Sequence, residues 1–246
     1  MAWFKRKNKK ALADRSLKQG VALVTNYAPD SRISEEYRTL RTNISFSQAD
    51  GDIKTLVITS AAAAEGKSTV SSNVAVTFAK QGLNTILVDL DMRRPMVNAT
   101  FGQQNIGGLV KLLTTDGEKL EEQLPLYAKP TQIENLTVLV AGPTPPNPSE
   151  LLGSKSMLAL LKYLREHYDR VVLDTPPVLS VTDAQIVAAH ADATVLVVPY
   201  GLAQKKFVLQ AKDLLTKVDA NIIGVVMNRM PAQGGAGYYY YGGYYK

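Results

Sequence analysis

The sequence contains no cysteine and only two histidines, His167 and His190. Disulfide bonds and thiol nucleophiles are therefore excluded, and a metal site built from cysteine and histidine has too few ligands. Long apolar runs are also missing, because the stretch at 193–199 is far shorter than the roughly 20 residues that a membrane-spanning helix needs. We therefore expect a soluble protein of a reducing compartment such as the cytoplasm.

Excess positive charge is absent outside the first 18 residues. That segment holds seven lysine and arginine side chains against Asp14, a balance of +6, which is the formal net charge of the whole chain. A neutral remainder argues against a nucleic-acid-binding module, which needs a basic folded surface. The basic segment also contains Trp3 and Phe4. Two interpretations stay open: contact with an anionic membrane surface or acidic partner, or a disordered end that only keeps the chain in solution.

The 246 residues, 46% of them hydrophobic, suffice for one α/β domain but not for two of ordinary size. Short β-branched runs alternate with segments whose apolar residues recur every three or four positions, which predicts parallel βαβ units. The runs are uniformly apolar, so we expect a doubly wound, mostly parallel sheet with helices on both faces and ligands beyond the carboxyl ends of its strands. The predicted strands lie at 55–60, 85–89, 136–140, 170–174, 193–198 and 222–228, and the predicted helices at 32–46, 68–81, 154–167, 183–189 and 204–218.

Composition divides the chain into three parts. They are a basic N-terminal tail at 1–30, the α/β domain at 31–230, and a C-terminal tail at 231–246 that is rich in glycine and tyrosine. The last part has too little aliphatic material to offset the entropy of ordering, so we expect it to be flexible. Within the domain, the proline-rich stretch at 142–148 predicts a stiff connector.

A candidate phosphate loop lies between the first predicted strand and the helix after it. Residues 60–69 read SAAAAEGKST, and Gly66, Lys67 and Ser68 match the end of the pattern G-x-x-x-x-G-K-[ST]. Backbone N–H groups at the helix start would surround phosphates, Lys67 would reach the β- and γ-phosphates, and the Ser68 hydroxyl would ligate Mg²⁺. The first glycine of the pattern is replaced by Ala61. An ordinary helix start is therefore the alternative for this segment taken alone.

Two predicted strands end in aspartates close to this loop. The strand at 85–89 runs into Asp89 and Asp91, and alternation along an extended chain turns both carboxylates the same way. The strand at 170–174 ends in Asp174, which fits the Walker B pattern of an apolar strand followed by a metal-holding aspartate. Three acidic side chains near one phosphate loop are what Mg²⁺-dependent phosphoryl transfer requires. Strand-end aspartates also serve as caps or turn residues, which is the alternative.

Four sequence patterns resemble the bacterial tyrosine kinases of capsule and exopolysaccharide synthesis. They are DLDMRRP at 89–95, VVLDTPP at 171–177, GPTPPNPSELL at 142–152 and the tyrosine-rich C-terminus. The similarity runs from Ser31 to the end of the chain. It implies a P-loop NTPase fold of the deviant-Walker branch, ATP and Mg²⁺ as cofactors, and the activity of a non-specific protein-tyrosine kinase.

The resemblance also implies a role for each residue at a matching position. Lys67 would bind the triphosphate, and Asp89 would accept the proton of the tyrosine. Arg93 would help to neutralise developing charge, although a surface arginine paired with a carboxylate is the alternative. The implied catalytic residues are Lys67, Asp89, Asp91 and Arg93; the implied metal ligands are Ser68, Asp91 and Asp174; the implied nucleotide-binding residues are Ala64, Glu65, Gly66, Lys67, Ser68, Thr69 and Asn228.

Two parts of the implied nucleotide site are open to more than one interpretation. Many family members have Pro-Gly where this chain has Ala63 and Ala64. Because alanine tolerates a positive φ poorly, we expect this half of the loop to follow a different path. Asn228, at the end of the last predicted strand, stands where related folds contact adenine, yet an asparagine that caps a strand is the alternative.

The predicted helix at 32–46 carries the family's E-x-x-R-x-x-R motif as Glu35, Arg38 and Arg41. In the family this helix packs against a neighbouring subunit in a ring, so the resemblance implies a homo-oligomer. The same spacing also produces local ion pairs on a solvated helix, which is the alternative.

The C-terminal tail supplies the implied phosphoacceptors. Tyrosine is a poor nucleophile at pH 7 because its pKa is near 10, so transfer needs proximity and a carboxylate to take the proton. A mobile tail would provide the proximity; an aromatic tail that binds a partner or stacks on sugars is the alternative. The tyrosines are Tyr238, Tyr239, Tyr240, Tyr241, Tyr244 and Tyr245.

The resemblance implies two protein partners and a location. The partners are a separate membrane-bound activator of the polysaccharide chain-length regulator type and a phosphotyrosine phosphatase; no nucleic acid is expected. The chain would lie at the inner face of the cell membrane through the activator and regulate polysaccharide synthesis and export. Two rival functions remain. One is an ATPase that acts as a positioning switch on a membrane or DNA, which typically has a lysine where this chain has Ala62; the other is a non-catalytic scaffold of polysaccharide export.

Overall fold

The computed structural model describes residues 19–47, 53–115 and 120–231. Within them, the strands are β1 Thr55–Ser60, β2 Thr85–Asp89, β3 Ala128–Pro130, β4 Leu136–Leu139, β5 Arg170–Asp174, β6 Ala193–Pro199 and β7 Ile222–Asn228. They form one sheet with the spatial order β3-β4-β2-β5-β1-β6-β7. β3 pairs antiparallel with β4, and the other neighbouring strands pair in parallel. The predicted fold class, a mostly parallel α/β sheet, is confirmed.

Among the described residues, two helices precede β1, and the others lie between strands. Their bounds are α1 Val24–Tyr27, α2 Arg32–Ser45, α3 Lys67–Ala79, α4 Val97–Thr100, α5 Gly108–Thr114, α6 Leu120–Tyr127, α7 Pro148–Leu152, α8 Lys155–His167, α9 Asp183–Ala188 and α10 Lys205–Thr216. Every predicted strand and helix is present, and each end lies within two residues of its predicted place. The unpredicted elements are β3 and the short helices α1, α4, α5, α6 and α7, which are too short to display a clear hydrophobic period.

Helices cover both faces of the sheet, so that the central strands β1, β2, β5 and β6 are buried at every position. Val57 points into one hydrophobic cluster with side chains of α5 to α10, whereas Leu56 and Ile58 point into a second cluster with α2, α3 and α4. Each fully buried side chain of this size contributes about 1.5–3 kcal/mol. This doubly wound arrangement places the loops after β1, β2 and β5 at one edge of the sheet.

β7 differs from the other predicted strands because it lies at the edge of the sheet. Val225 is 53% exposed and Met227 is 49% exposed. The expectation that every apolar strand is covered on both faces is therefore wrong for β7, because the described residues leave the face that carries Val225 and Met227 partly open.

The predicted boundary between the N-terminal tail and the domain also needs correction. The end of the proposed tail at 1–30 packs on α3: Thr25 is buried, its hydroxyl donates to Asn73 Oδ1 at 2.9 Å, and its carbonyl accepts a hydrogen bond from Lys80 Nζ at 2.8 Å. Net charge predicted a tail here, but the charge lies in the first 18 residues, which are outside the described residues.

None of the helices within the described ranges is long and apolar enough to cross a membrane. The predicted flexible tail, with its six tyrosines, lies outside the described residues from position 232 onward.

Candidate active site

The phosphate loop joins β1 to α3 at the carboxyl edge of the sheet. Gly66, which immediately precedes α3, has a φ of +98°. A Cβ at this position would lie 2.0 Å from Nδ2 of Asn228, so only glycine fits. Since Gly66 has no side chain to cap the helix, the positive end of the α3 dipole and the N–H groups near Lys67 and Ser68 are suited to an anion.

The half of the loop that lacks glycine is held by contacts from other elements. Ala64 has a φ of +61°, a conformation that costs a residue with a Cβ about 1–2 kcal/mol. Its carbonyl accepts a hydrogen bond from Arg229 Nη2 at 2.7 Å. The buried carboxylate of Glu65 accepts the N–H of Ala62 at 2.9 Å and closes the loop from inside. Ala64 therefore adopts the conformation that glycine normally supplies, and it does so in spite of its Cβ.

Lys67 reaches across the loop to an aspartate that lies just beyond the end of β2. Its Nζ donates to Asp91 Oδ2 at 2.8 Å and lies 3.3 Å from the Ser68 hydroxyl. Burial alone would lower the pKa of Lys67, but the negative charges of Asp174, Asp91 and Asp89 outweigh it and raise the pKa above its usual value. Lys67 is therefore a fixed positive charge at the position where the phosphate groups of a nucleotide would lie.

Asp89 is held by backbone amides. Its Oδ2 accepts the N–H groups of Met96 and Val97, both at 2.9 Å, and its Oδ1 accepts the N–H of Asp91 at 3.1 Å. Burial, followed by the charge of Asp174, raises the pKa of Asp89 to about 8 in spite of these hydrogen bonds. The carboxylate is thus fixed in orientation, and its pKa lies near neutral pH.

Asp174 is the register partner of Asp89 on the neighbouring strand. It is fully buried, and among the described residues neither of its carboxylate oxygens has a hydrogen-bond partner. Burial raises the pKa of Asp174, and the positive charge of Lys67 opposes part of that rise. A buried carboxylate without partners is costly unless a cation binds it.

These residues fit a magnesium ion. The Ser68 hydroxyl, the Asp91 carboxylate and the unpartnered oxygens of Asp174 are the hard oxygen ligands that Mg²⁺ prefers. In the part of the chain that the structure describes, no group of three or more histidine, aspartate or glutamate side chains could hold a metal unaided. Phosphate oxygens and water would therefore have to complete the coordination of the ion.

Two further predicted site residues, Arg93 and Asn228, form hydrogen bonds with other residues of the chain. Arg93 Nε donates to Asp183 Oδ2 at 3.2 Å, so the arginine forms the carboxylate pair that sequence analysis left as the alternative. Asn228 Nδ2 donates to the carbonyl of Glu65 at 3.0 Å. The structure thus places Asn228 against the phosphate loop.

The three motif residues of α2 make contacts within the chain. Glu35 pairs with Arg38, whose Nη2 also donates to the carbonyl of Pro29 at 2.7 Å. Arg41 Nη1 donates to the carbonyl of Thr77 on α3 at 3.1 Å. These are the local contacts of a partly solvated helix, and most of the α2 surface away from α3 stays exposed.

The sequence did not predict several residues that shape the site. The amides of Met96 and Val97 orient Asp89, Asp183 holds Arg93, and Arg229 holds Ala64. A backbone amide has no sequence signature. Arg229 follows the predicted Asn228 directly, and this position was the one signal that could have identified it.

Comparison with known proteins identifies the family. The family model described as AAA domain matches residues 53–223. The chain is 44% identical to CapB of Staphylococcus aureus, covering 87% of this chain and 92% of that one, and 41% identical to tyrosine-protein kinase YwqD of Bacillus subtilis strain 168, covering 87% and 88%. The solved structure of the chimeric protein CapA2B2 superposes with a TM-score of 0.78 at 40% identity, covering 85% of this chain and 90% of that one. The chain therefore belongs to the bacterial protein-tyrosine kinases that its motifs resemble.

Proposed function

We propose that this kinase uses Mg-ATP to phosphorylate the tyrosines of its own C-terminal tail, with one subunit acting on the tail of another. The observation that carries the proposal is the group of three buried aspartates around the buried Lys67 at the start of α3. Such a group needs a polyphosphate and a cation to satisfy its charges.

Each site residue has a separate task in this proposal. With nucleotide bound, Lys67 would contact the β- and γ-phosphates instead of Asp91, and Asp91, Ser68 and Asp174 would hold the metal ion. When bound, Mg²⁺ neutralises phosphate charge and orients the transferred group. Arg93, now paired with Asp183, lies 39% exposed and is able to turn toward developing charge.

Asp89 is the proposed acceptor of the tyrosine proton. A general base must be within hydrogen-bonding distance of the hydroxyl and held in orientation, and the three backbone amides supply the second condition. The tail that brings the hydroxyl begins beyond residue 231, at the same edge of the sheet as the site. A chain of 15 residues extends to roughly 50 Å, which is enough to reach the site of a neighbouring subunit.

The cellular setting is also part of the proposal. The chain would assemble as a homo-oligomer through α2, depend on a separate membrane-bound activator, and have its tail dephosphorylated by a phosphotyrosine phosphatase. The basic first 18 residues, with Trp3 and Phe4, are suited to the activator or the anionic membrane surface. Each phosphate adds about −1.5 to −2 in charge, so a phosphorylated tail would repel itself and the acidic site of a neighbouring subunit. Cycles of tail phosphorylation would thereby control assembly and regulate capsule or exopolysaccharide synthesis and export.

Incubation of the purified chain with Mg-ATP, followed by intact-mass measurement and peptide mapping, tests the activity. We expect phosphate on residues 238–245, and we expect Lys67→Met to abolish it. Lys129→Met, which removes an exposed lysine from the edge strand β3, is the matched control and should leave phosphorylation unchanged.

A mixing experiment tests transfer between subunits. Chains with Lys67→Met and an intact tail serve as acceptors, and chains with all six tail tyrosines changed to phenylalanine serve as donors. Phosphate on the acceptor supports transfer between subunits. Bound nucleotide without any tail phosphate, even when the cytoplasmic segment of a candidate membrane activator is added, would favour the switch or scaffold function instead.

A further inference from the structure

The end of β7 contacts the phosphate loop through two consecutive residues. Arg229 Nη2 donates to the carbonyl of Ala64 at 2.7 Å, and Asn228 Nδ2 donates to the carbonyl of Glu65 at 3.0 Å. The two acceptors belong to consecutive peptide groups of the loop. A segment more than 160 residues away in sequence therefore fixes two peptide planes next to Lys67.

The orientation of these carbonyls determines the orientation of two N–H groups. A trans peptide is planar, and its C=O and N–H bonds point in opposite directions. Because the carbonyls of Ala64 and Glu65 point toward β7, the N–H groups of Glu65 and Gly66 point to the other side of the loop. Successive N–H groups that point into one concavity form an anion-binding nest.

Ala64 is the position at which this support is needed. Its φ of +61° is disfavoured for any residue with a Cβ, so the loop would relax elsewhere without an external contact. The supporting segment is held at Asn228, and Arg229 itself has a φ of +61°. The carbonyl of Asn228 accepts the N–H of Tyr200 at 2.8 Å, and its Oδ1 accepts the N–H of Arg229 at 2.8 Å.

We propose that Arg229 is a positioning residue of the nucleotide site, which holds Ala64 in the left-handed conformation and so compensates for the glycine that the loop lacks there. Together with Asn228, it directs the N–H groups of Glu65 and Gly66 toward the phosphates. This inference rests on the proposed ATP-dependent function, because it assigns the clamp to phosphate binding.

Arg229 also carries a positive charge, which would attract phosphates without any effect on the loop. The variant Ala64→Gly distinguishes the effect of Arg229 on the loop conformation from the effect of its charge. If Arg229 acts through the conformation of the loop, Ala64→Gly removes the need for it, since glycine adopts a positive φ without penalty. If Arg229 acts through its charge alone, Ala64→Gly leaves the need unchanged.

The test is an equilibrium titration of the full chain with Mg-ADP, together with KM for ATP and kcat of tail phosphorylation. We expect Arg229→Gln to weaken Mg-ADP binding and raise KM about tenfold, with little change in kcat, because a charged hydrogen bond to the loop is lost. Ala64→Gly alone is the reference for the double variant, which should lose much less affinity relative to it than Arg229→Gln loses relative to the unsubstituted chain. Lys206→Gln, which removes an exposed charge at the start of α10, is the matched control and should bind normally.

Three results would overturn parts of this account. Unchanged affinity in Arg229→Gln would remove the positioning role. A double variant that loses as much affinity relative to Ala64→Gly as Arg229→Gln loses relative to the unsubstituted chain would show that the charge acts alone and would also remove it. Failure of the unsubstituted chain to bind Mg-ADP would instead contradict the proposed function, and the inference would be lost with it.

Discussion

Two neighbouring aspartates of the site are held in opposite ways. Asp89 accepts three backbone N–H groups, whereas the carboxylate of Asp174 has no hydrogen-bond partner among the described residues. Both are fully buried. The free energy of the ligand-free protein is therefore raised at Asp174, where the cost of a buried charge is offset in part by the positive charge of Lys67 and by the nearby hydroxyls of Ser68 and Ser71. Such a cost is expected at a site built to receive a cation.

Asp174→Asn should stabilise the ligand-free protein and impair the enzyme. The amide removes the buried charge at similar volume, so we expect the free energy of unfolding at pH 8 to rise by about 1–3 kcal/mol. Tail phosphorylation should fall, because one of the oxygen ligands that we propose for the metal is lost. Chemical denaturation and the tail-phosphorylation assay measure the two effects.

The increase in the free energy of unfolding of Asp174→Asn should also depend on pH. The pKa of Asp174 in the folded protein is raised above the unfolded value near 4, so protonation of Asp174 stabilises the fold. This contribution to the free energy of unfolding is complete below pH 4 and is lost as the pH rises through the pKa of the folded protein. The advantage of Asp174→Asn should therefore shrink toward about pH 4. Asp192, whose Oδ2 accepts the N–H groups of Lys54 and Thr55, is the control, and Asp192→Asn should destabilise. A pH-independent gain would contradict the assignment.

The sequence predicted the charged residues of the site better than their surroundings. Lys67, Asp89 and Asp174 follow apolar strands or a loop with a known pattern, and parallel strands bring their carboxyl ends to one edge. The conformation of Ala64 and its contact with Arg229 depend on tertiary structure that joins distant segments, and no local pattern encodes them.

Among the elements, α3 connects the site to the N-terminal segment. Asn73 on α3 is fully buried; its Oδ1 accepts the N–H of Thr25 at 3.1 Å and the Thr25 hydroxyl at 2.9 Å, and its Nδ2 donates to the carbonyls of Ala22 and Thr69. One side chain thus joins the segment before α2 to the first turn of α3, the helix that follows the candidate phosphate loop.

Asn73→Ala should destabilise the fold strongly. It removes the four hydrogen bonds of the Asn73 amide, two of them buried and two partly buried, so we expect the free energy of unfolding to fall by about 2–4 kcal/mol. Ser72→Ala is a control one residue away: the Ser72 hydroxyl is buried and has no partner in the described part of the chain, so its removal should be neutral or slightly stabilising. Denaturation curves that show equal losses for the two variants would contradict this account.

The prediction of helices and strands succeeded for long helices with a repeating apolar pattern and for β-branched strands, and it failed for short elements. The strands β1, β2, β5 and β7 have their predicted bounds because β-branched runs stand between turn residues. α1 and α4 have four residues each, which is too few for apolar residues to recur at helical spacing. Tertiary contacts stabilise helices as short as these. The N-terminal boundary was misplaced for the same reason, since the Thr25 contact with Asn73 joins residues far apart in sequence.

At the scale of the whole molecule, α2 is the element on which assembly depends in the proposed function. Its ion pair between Glu35 and Arg38 is exposed, and exposed pairs of this spacing contribute only about 0.3–0.5 kcal/mol to stability. If these residues serve only the local helix, replacing them changes neither assembly nor activity. If they contact a neighbouring subunit, their replacement disrupts the oligomer.

We expect the triple variant Glu35→Ala, Arg38→Ala, Arg41→Ala to be monomeric and to phosphorylate its tail poorly, with a loss that grows as the protein is diluted, because transfer between subunits then requires collision. Light scattering and tail phosphorylation at two protein concentrations measure both effects. Arg32→Ala removes a similar exposed pair, with Glu36, from the same helix and should leave size and activity unchanged. A triple variant with the size and activity of the unsubstituted chain would assign the motif to local ion pairs, and the tail would then be phosphorylated within its own subunit or through another interface.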